Sequence, residues 1–218
     1  MNLIFDKFIE ELKEKFTLPL PGNEAQLRMA PDLRLVMPID TSLQMNAKQS
    51  SVLILLFPNQ EDICTVLMKR QDYEGVHSGQ ISFPGGKFEK SDITFEKNAL
   101  REAHEEIGID ISKIKVISEL TSLYISRSNF LVHPIVAYTK AFPDFNIDEK
   151  EVNELIISDL NFFLNKKNIF SKVFFTNNKI PVNAPYFNLK GHHVWGATAM
   201  IISEFVEIIS KIDSFKKL

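Results

Sequence analysis

Three carboxylates within five consecutive positions, Glu102, Glu105 and Glu106, are the residues of this chain best suited to chemistry. On a helix, residues three and four positions apart share a face, so Glu102 lies beside both of the others. Like charges at these offsets destabilise an isolated helix by roughly a few tenths of a kcal/mol per pair, and Arg101 offsets only part of that cost. A divalent cation bound between the carboxylates turns this destabilising repulsion into a stabilising interaction. Because magnesium binds one or two protein carboxylates and completes its shell with waters and phosphate oxygens, the spacing indicates metal-assisted chemistry on a phosphate anhydride.

The segment around these acids predicts a loop followed by a helix that ends at a C-terminal cap. Apolar residues recur at helical spacing on the side opposite the acids, which allows that side to pack into a core. They are Leu100, Ala103 and Ile107. The run Pro84-Gly85-Gly86 predicts a tight turn whose backbone can come close to a ligand. Asp92 is the predicted N-cap of the helix, and Gly108 is its predicted left-handed C-terminal cap.

Residues 85–109 resemble the Nudix box, a glycine-led loop and a helix that ends in Arg-Glu-aliphatic-x-Glu-Glu-x-Gly-aliphatic, here at residues 101–109. Every fixed position of the helical half is present. The loop half departs from the pattern, because Asp92 stands where a glutamate is usual and one extra residue separates it from Arg101. In both respects the chain resembles the coenzyme A diphosphatase branch of that superfamily.

A second block, which precedes the box, is similar to the additional signature of this branch. The matching positions are Arg70, Gly79 and the run Phe83-Pro84-Gly85-Gly86. Gln71 and Gly75 depart from it, since a small and a basic residue are usual there. The resemblance implies substrate contacts by Arg70, Gly79, Phe83 and His77. Arg70 as an ordinary surface cation and His77 as a local hydrogen-bonding residue are the alternatives.

The resemblance implies hydrolysis of the pyrophosphate bond of coenzyme A or its derivatives to 3',5'-ADP and 4'-phosphopantetheine, or its acyl form. It implies a Mg²⁺ or Mn²⁺ cofactor, held by Glu102, Glu105, Glu106 and the Gly85 carbonyl. Glu105 or Glu151 would act as the general base, with Arg101 orienting Glu105. Two alternatives stay open: a Nudix hydrolase of another nucleoside diphosphate derivative such as ADP-ribose, and a non-catalytic nucleotide-sensing module.

Bulk properties favour a cytoplasmic enzyme that acts on a small molecule. With 218 residues, the chain can bury a sizeable core. Its net charge of -3 disfavours nucleic acid as a partner. A single cysteine, Cys64, excludes an intrachain disulfide framework. No apolar run approaches the roughly 18 residues of a membrane span, and acidic residues interrupt the N-terminal apolar pattern, unlike a secretory signal.

The order of predicted elements favours an α/β fold with a mixed sheet flanked by helices. An N-terminal helix carries an apolar stripe of Ile4, Phe8, Ile9, Leu12 and Phe16, and residues 17–50 are interpreted as an extended connector. Strands are predicted at 52–57, 63–68, 115–123, 130–138, 152–157, 173–175 and 186–189, and further helices at 159–164 and 196–212.

The Nudix resemblance implies an α/β/α sandwich, divided here into an N-terminal helix and connector (residues 1–47) and a Nudix hydrolase domain (residues 48–218). The N-terminal helix either lies across the main domain or contacts a second copy in a homodimer.

Overall fold

A mixed β-sheet packed between helices dominates the computed structural model, which describes residues 2–36, 44–71, 79–175 and 180–215. The strands are β1 (Lys48–Asn59), β2 (Asp62–Arg70), β3 (Ile81–Ser82), β4 (Gly85–Lys87), β5 (Lys115–Glu119), β6 (Leu123–Ile125), β7 (Phe130–Tyr138), β8 (Val152–Asp159), β9 (Ile169–Phe175), β10 (Pro181–Leu189) and β11 (His192–Trp195). The helices are α1 (Leu3–Lys15), α2 (Gly22–Leu27), α3 (Asp32–Val36), α4 (Phe95–Ile107), α5 (Asn161–Leu164) and α6 (Gly196–Ile209).

Within the described residues, the larger sheet has eight strands, and its main path runs β3-β2-β1-β7-β5. β1 and β7 pair in parallel at the centre, whereas β2 and β5 add antiparallel strands on either side. β4 pairs with β1, β6 with β7 and β8 with β2. A separate antiparallel sheet has the order β11-β10-β9.

The central strand β1 is buried on both faces, and this explains its unbroken apolar sequence. Leu53, Leu55 and Phe57 belong to the apolar cluster that contains Ala103 and Ile107 of α4. Ile54 and Leu56, which point to the other face, belong to the cluster formed with α1 and α6. The mixed sheet flanked by helices that the sequence predicts is therefore confirmed.

Helix α1 buries a slightly different stripe from the predicted one. Phe5, Phe8, Ile9 and Leu12 are buried, and they join the same cluster as the sheet and α6. Ile4, which was predicted to belong to the apolar stripe, is 41% exposed, because it lies about 100° around the helix from the buried Phe5. The division of the chain at residues 47/48 stays a prediction.

Other departures from the predicted elements occur where long-range contacts or turns decide the conformation. The connector holds two short helices, α2 and α3, and the start of β1. The single strand predicted at 115–123 is two strands, β5 and β6. Strand β11 was not predicted; it forms a hairpin with β10 through Lys190 and Gly191, both of positive φ, as two-residue hairpin turns require. Among the described helices, none is long and apolar enough to cross a membrane.

A buried carboxylate on α6 ties the N-terminal segment to the sheet. Glu204 is fully buried and accepts hydrogen bonds from the Gly22 N–H (3.1 Å), Gln26 Nε2 (2.8 Å) and the Thr121 N–H (3.3 Å). Gln26 Nε2 also donates to the Thr121 carbonyl at 2.8 Å. One acid thus satisfies donors from α2 and from the link between β5 and β6.

We expect Glu204→Leu to lower the free energy of unfolding by about 2–4 kcal/mol, because it leaves buried N–H donors without an acceptor. Urea denaturation measures the loss. Glu207→Leu, one turn later on α6, is the matched control; Glu207 is more exposed and pairs with Arg28 and Lys211, so its loss should cost about 1 kcal/mol or less. Equal losses in the two variants would contradict the role assigned to Glu204.

Candidate active site

The acidic helix α4 begins and ends with clear caps, although its N-cap is not the predicted residue. The Thr94 side chain accepts from the Lys97 N–H at 3.3 Å, and Gly108 closes the helix with a left-handed φ of 68°. The prediction of Gly108 is confirmed, whereas the assignment of Asp92 as N-cap is wrong. Asp92 ends a preceding 3-10 turn, and its buried carboxylate is directed to Arg101 instead.

Arg101 connects the acids of the segment. Its Nε and Nη2 donate to Asp92 Oδ1 (2.7 Å) and Oδ2 (3.1 Å), a bidentate pair. Its Nη1 lies 2.7 Å from Glu105 Oε2, and its Nη2 lies 2.9 Å from Glu102 Oε1. The Arg101 hydrogen bond holds the pKa of Asp92 below its usual range. The guanidinium is thus committed to three carboxylates, and it fixes the side chains of Glu102 and Glu105.

Glu106 is the most deeply buried acid of the helix, with 1% of its side chain exposed. Its Oε2 accepts the Gly85 N–H at 2.7 Å, and its Oε1 lies 3.1 Å from Arg70 Nη1 without hydrogen-bond alignment. Burial raises the pKa of Glu106 to about 7, although the Arg70 charge and the Gly85 N–H oppose the rise. The site therefore holds a carboxylate that lacks the solvation its charge requires.

The glycine loop lies directly against the acids. Instead of the predicted tight turn, Gly85 and Gly86 lie in the short strand β4, which pairs with β1. A Cβ on Gly85 would lie 2.2 Å from the Ser51 carbonyl oxygen, and one on Gly86 would lie 2.3 Å from Glu102 Oε2. Glycine at both positions is what lets the backbone approach β1 on one side and the Glu102 carboxylate on the other.

The other two acids differ in exposure. Glu102 is 15% exposed on its side chain, and Glu105 is 55% exposed. Burial raises the pKa of Glu102, Arg101 opposes the rise, and the charges of Glu105 and Glu151 add to it. The Glu151 charge also raises the pKa of Glu106, so Glu151 belongs to the electrostatic surroundings of both acids.

Glu151 is exposed and precedes β8, in a loop that is anchored to the end of α4. The Asp148 N–H donates to the Glu106 carbonyl at 3.0 Å, and the Glu151 N–H donates to the Asp148 carbonyl at 3.0 Å. The Gln71 N–H donates to the Glu151 carbonyl at 2.9 Å. The structure thus places Glu151 between the end of β2 and the acidic helix, a contact that its position in the sequence does not reveal.

The predicted substrate residues have different surroundings in the structure. Arg70 faces Glu106 and donates from Nη2 to the Gly85 carbonyl at 2.6 Å. Gly79 has a left-handed φ of 64° and donates to the Gln71 carbonyl at 3.3 Å. Phe83 is 2% exposed and belongs to the apolar cluster formed with α1 and α6, so little of its side chain is accessible to a substrate. His77 lies outside the described residues.

The residues fit a divalent cation that shares its shell with substrate. No three His, Cys, Asp or Glu side chains converge on one point among the described residues. Magnesium does not require such a cage, because waters and phosphate oxygens supply most of its ligands. Glu106 Oε1 is buried without a hydrogen-bond donor, Glu102 lies against the glycine strand, and the Gly85 carbonyl already accepts from a cation. These oxygens are the hard ligands that such an ion prefers.

Comparison with known proteins places the chain in a family. Residues 47–163 match the NUDIX domain. The chain is 32% identical over 163 residues to Nudix hydrolase 15, mitochondrial, of Arabidopsis thaliana, covering 71% of this chain and 56% of that relative. It is 28% identical over 212 residues to the protein named "Uncharacterized Nudix hydrolase NudL" of Yersinia pestis (strain Pestoides F), covering 96% and 98%. The chain thus spans little more than half the length of the plant relative.

A solved structure agrees on the fold. RenU, a Nudix hydrolase from M. smegmatis, superposes with a TM-score of 0.51 at 14% identity, covering 76% of this chain and 88% of RenU. At that identity the likeness concerns the fold alone. Because the family match covers more than half of the 218 residues and includes both the glycine strand and the acidic helix, the chain belongs to the Nudix hydrolase family.

Proposed function

We propose that the chain hydrolyses the pyrophosphate bond of coenzyme A or a coenzyme A derivative, with Mg²⁺ or Mn²⁺ as cofactor. The observation that carries the proposal is the buried Glu106 carboxylate, held between the Gly85 N–H and Arg70 beside the glycine strand. Burying this charge is costly unless a cation compensates it. Glu106 and Glu102 would hold the cation, with Glu105 and the Gly85 carbonyl beside them.

The reaction consumes one water molecule. The water oxygen bonds to one phosphorus, the bridging P–O bond breaks, and the electron pair stays on the leaving phosphate oxygen. When bound, the dication would neutralise charge on the pyrophosphate oxygens and acidify water. Glu105 or Glu151 would accept the proton of the attacking water, and both carboxylates are exposed enough to reach it. Arg101 would keep Glu105 in place through its 2.7 Å contact.

The coenzyme A class rests on the sequence block that precedes the box, from Arg70 to Phe83. Arg70 lies against Glu106 and is 21% exposed on its side chain, so it is accessible to an anionic substrate. The names of the relatives give no substrate. We further propose a cytoplasmic protein with no nucleic-acid or membrane partner; assembly as a homodimer stays a prediction.

A substrate panel tests the proposal. Coenzyme A, acetyl-coenzyme A and ADP-ribose are each incubated with the protein and either Mg²⁺ or Mn²⁺, and the products are identified by mass. We expect 3',5'-ADP together with 4'-phosphopantetheine or its acetyl form, and no products when the metal is chelated. Preferential cleavage of ADP-ribose would instead support the second enzymatic alternative, and binding without any cleavage would support the sensing module.

Glu106→Gln should lower turnover by more than about a hundredfold with the fold retained, because loss of even an outer partner of a metal ligand typically costs ten- to a hundredfold. Steady-state cleavage of coenzyme A and circular dichroism measure the two effects. Glu96→Gln, the same change at an exposed position in the first turn of α4, is the control and should leave turnover unchanged. Near-normal turnover of Glu106→Gln would contradict its role in the metal site.

Gly86→Ala should weaken Mn²⁺ binding and turnover by about tenfold without unfolding the chain. The new Cβ would lie 2.3 Å from Glu102 Oε2, so the end of this flexible side chain must move. Calorimetric titration with Mn²⁺ measures the change. In a double-mutant cycle with Glu102→Gln, the second change should add little once the first has displaced the carboxylate. Additive losses would show that Gly86 does not act through Glu102.

A further inference from the structure

One guanidinium holds two of the oxygen atoms assigned above to the metal. Arg70 Nη2 donates to the Gly85 carbonyl at 2.6 Å, and Arg70 Nη1 lies 3.1 Å from Glu106 Oε1. The same Glu106 carboxylate accepts the Gly85 N–H at 2.7 Å through Oε2. Arg70, Gly85 and Glu106 therefore each contact the other two, and the guanidinium supplies the positive charge beside the Glu106 carboxylate.

Backbone pairing fixes the position of Arg70 at the end of β2. Lys69 pairs with Glu154 and Arg70 pairs with Val152, so the extra residue of the irregularity in this pairing, Asn153, lies on β8, and β2 runs regularly as far as Arg70. The Arg70 N–H donates to the Gln80 carbonyl at 3.1 Å, which holds the end of the strand. The backbone of Arg70 is thus held by β8 and by Gln80 at the end of β2.

A dication and this guanidinium compete for the same oxygens. A carbonyl oxygen within 2.6 Å of Nη2 has no room for an ion on the same side, and two cations at such separations repel strongly in a partly buried site. We propose that Arg70 is an internal counter-cation of the metal site, which a divalent ion must displace from Gly85 and Glu106 before it can bind. This inference rests on the proposed metal site, and it names a residue that sets the affinity of that site.

Displacement has two consequences. Without Arg70, the buried Glu106 carboxylate would lose its compensating charge, so the site would bind a dication more strongly. If a dication held the two oxygens, the guanidinium would turn toward solvent, where it would meet the pyrophosphate of the substrate. Arg70 would act first as a positioning residue for Glu106 and then as a substrate contact.

Mn²⁺ affinity of the full chain, measured by calorimetric titration without substrate, tests the proposal. We expect Arg70→Gln to bind Mn²⁺ about tenfold more tightly than the unmodified chain, which corresponds to about 1.4 kcal/mol. Saturating Mn²⁺ should also raise the Tm of the variant by about 3 °C more than that of the unmodified chain, since about 1 kcal/mol shifts the Tm of a protein of this size by 2–4 °C. A merely structural arginine would not tighten metal binding when removed.

Lys69→Gln is the matched control, because it removes one positive charge from the neighbouring position of the same strand. Its Mn²⁺ affinity should change less than about twofold. If Arg70→Gln fails to fold, Arg70→Lys serves in its place, since a single ammonium cannot hold the carbonyl and the carboxylate as a fork does; it should bind Mn²⁺ more tightly than the unmodified chain.

Unchanged or weaker Mn²⁺ binding in the folded Arg70 variant would overturn the counter-cation role, even if coenzyme A cleavage by the unmodified chain supports the proposed function. Failure of the unmodified chain to bind Mn²⁺ at all would count against the proposed metal site itself. The two proposals can therefore fail separately.

Discussion

The burial of one carboxylate is the constraint on which the rest of the candidate site depends. Glu106 lies in the interior between β4 and α4, where an ionised acid loses most of its hydration. The structure compensates it with one backbone N–H from Gly85 and with the nearby charge of Arg70, and neither restores what water supplied. The result is a carboxylate whose pKa burial has raised to about 7 and for which a divalent cation is the natural complement.

The surrounding scaffold holds this arrangement by packing on both faces of one strand. β1 contributes Leu53 and Leu55 to the core under α4 and Ile54 to the core under α6, so the acidic helix rests on a sheet that is itself supported from behind. β4 pairs with the same strand and sets its glycines against the acids. Arg101, which is itself held by the buried carboxylate of Asp92, contacts Glu102 and Glu105 directly. The packing around β1 therefore sets where the acidic side chains lie, whereas the arginine contacts set the charges around them.

Much of the fold follows from local pattern. Continuous apolar runs in β1 and β7 mark strands buried on both faces, and helical spacing of Ala103 and Ile107 marks the buried side of α4. Features that depend on backbone turns were harder to predict: β11 follows a two-residue turn at Lys190 and Gly191, and the connector contains two short helices that pack on distant elements. Their stability comes from tertiary contacts such as those of Glu204, which no local window contains.

By itself, the sequence determined which acids share a helix face and that a glycine run precedes them, because helical spacing and the Cβ-free backbone are local properties. The tertiary structure decided which residues the side chains of the site contact. Asp92 accepts hydrogen bonds from Arg101 instead of capping the helix, Phe83 packs in the core, and Arg70 at the end of β2 lies beside Glu106. Each of these depends on how segments distant in sequence pack together, and on which charge is left buried when they do.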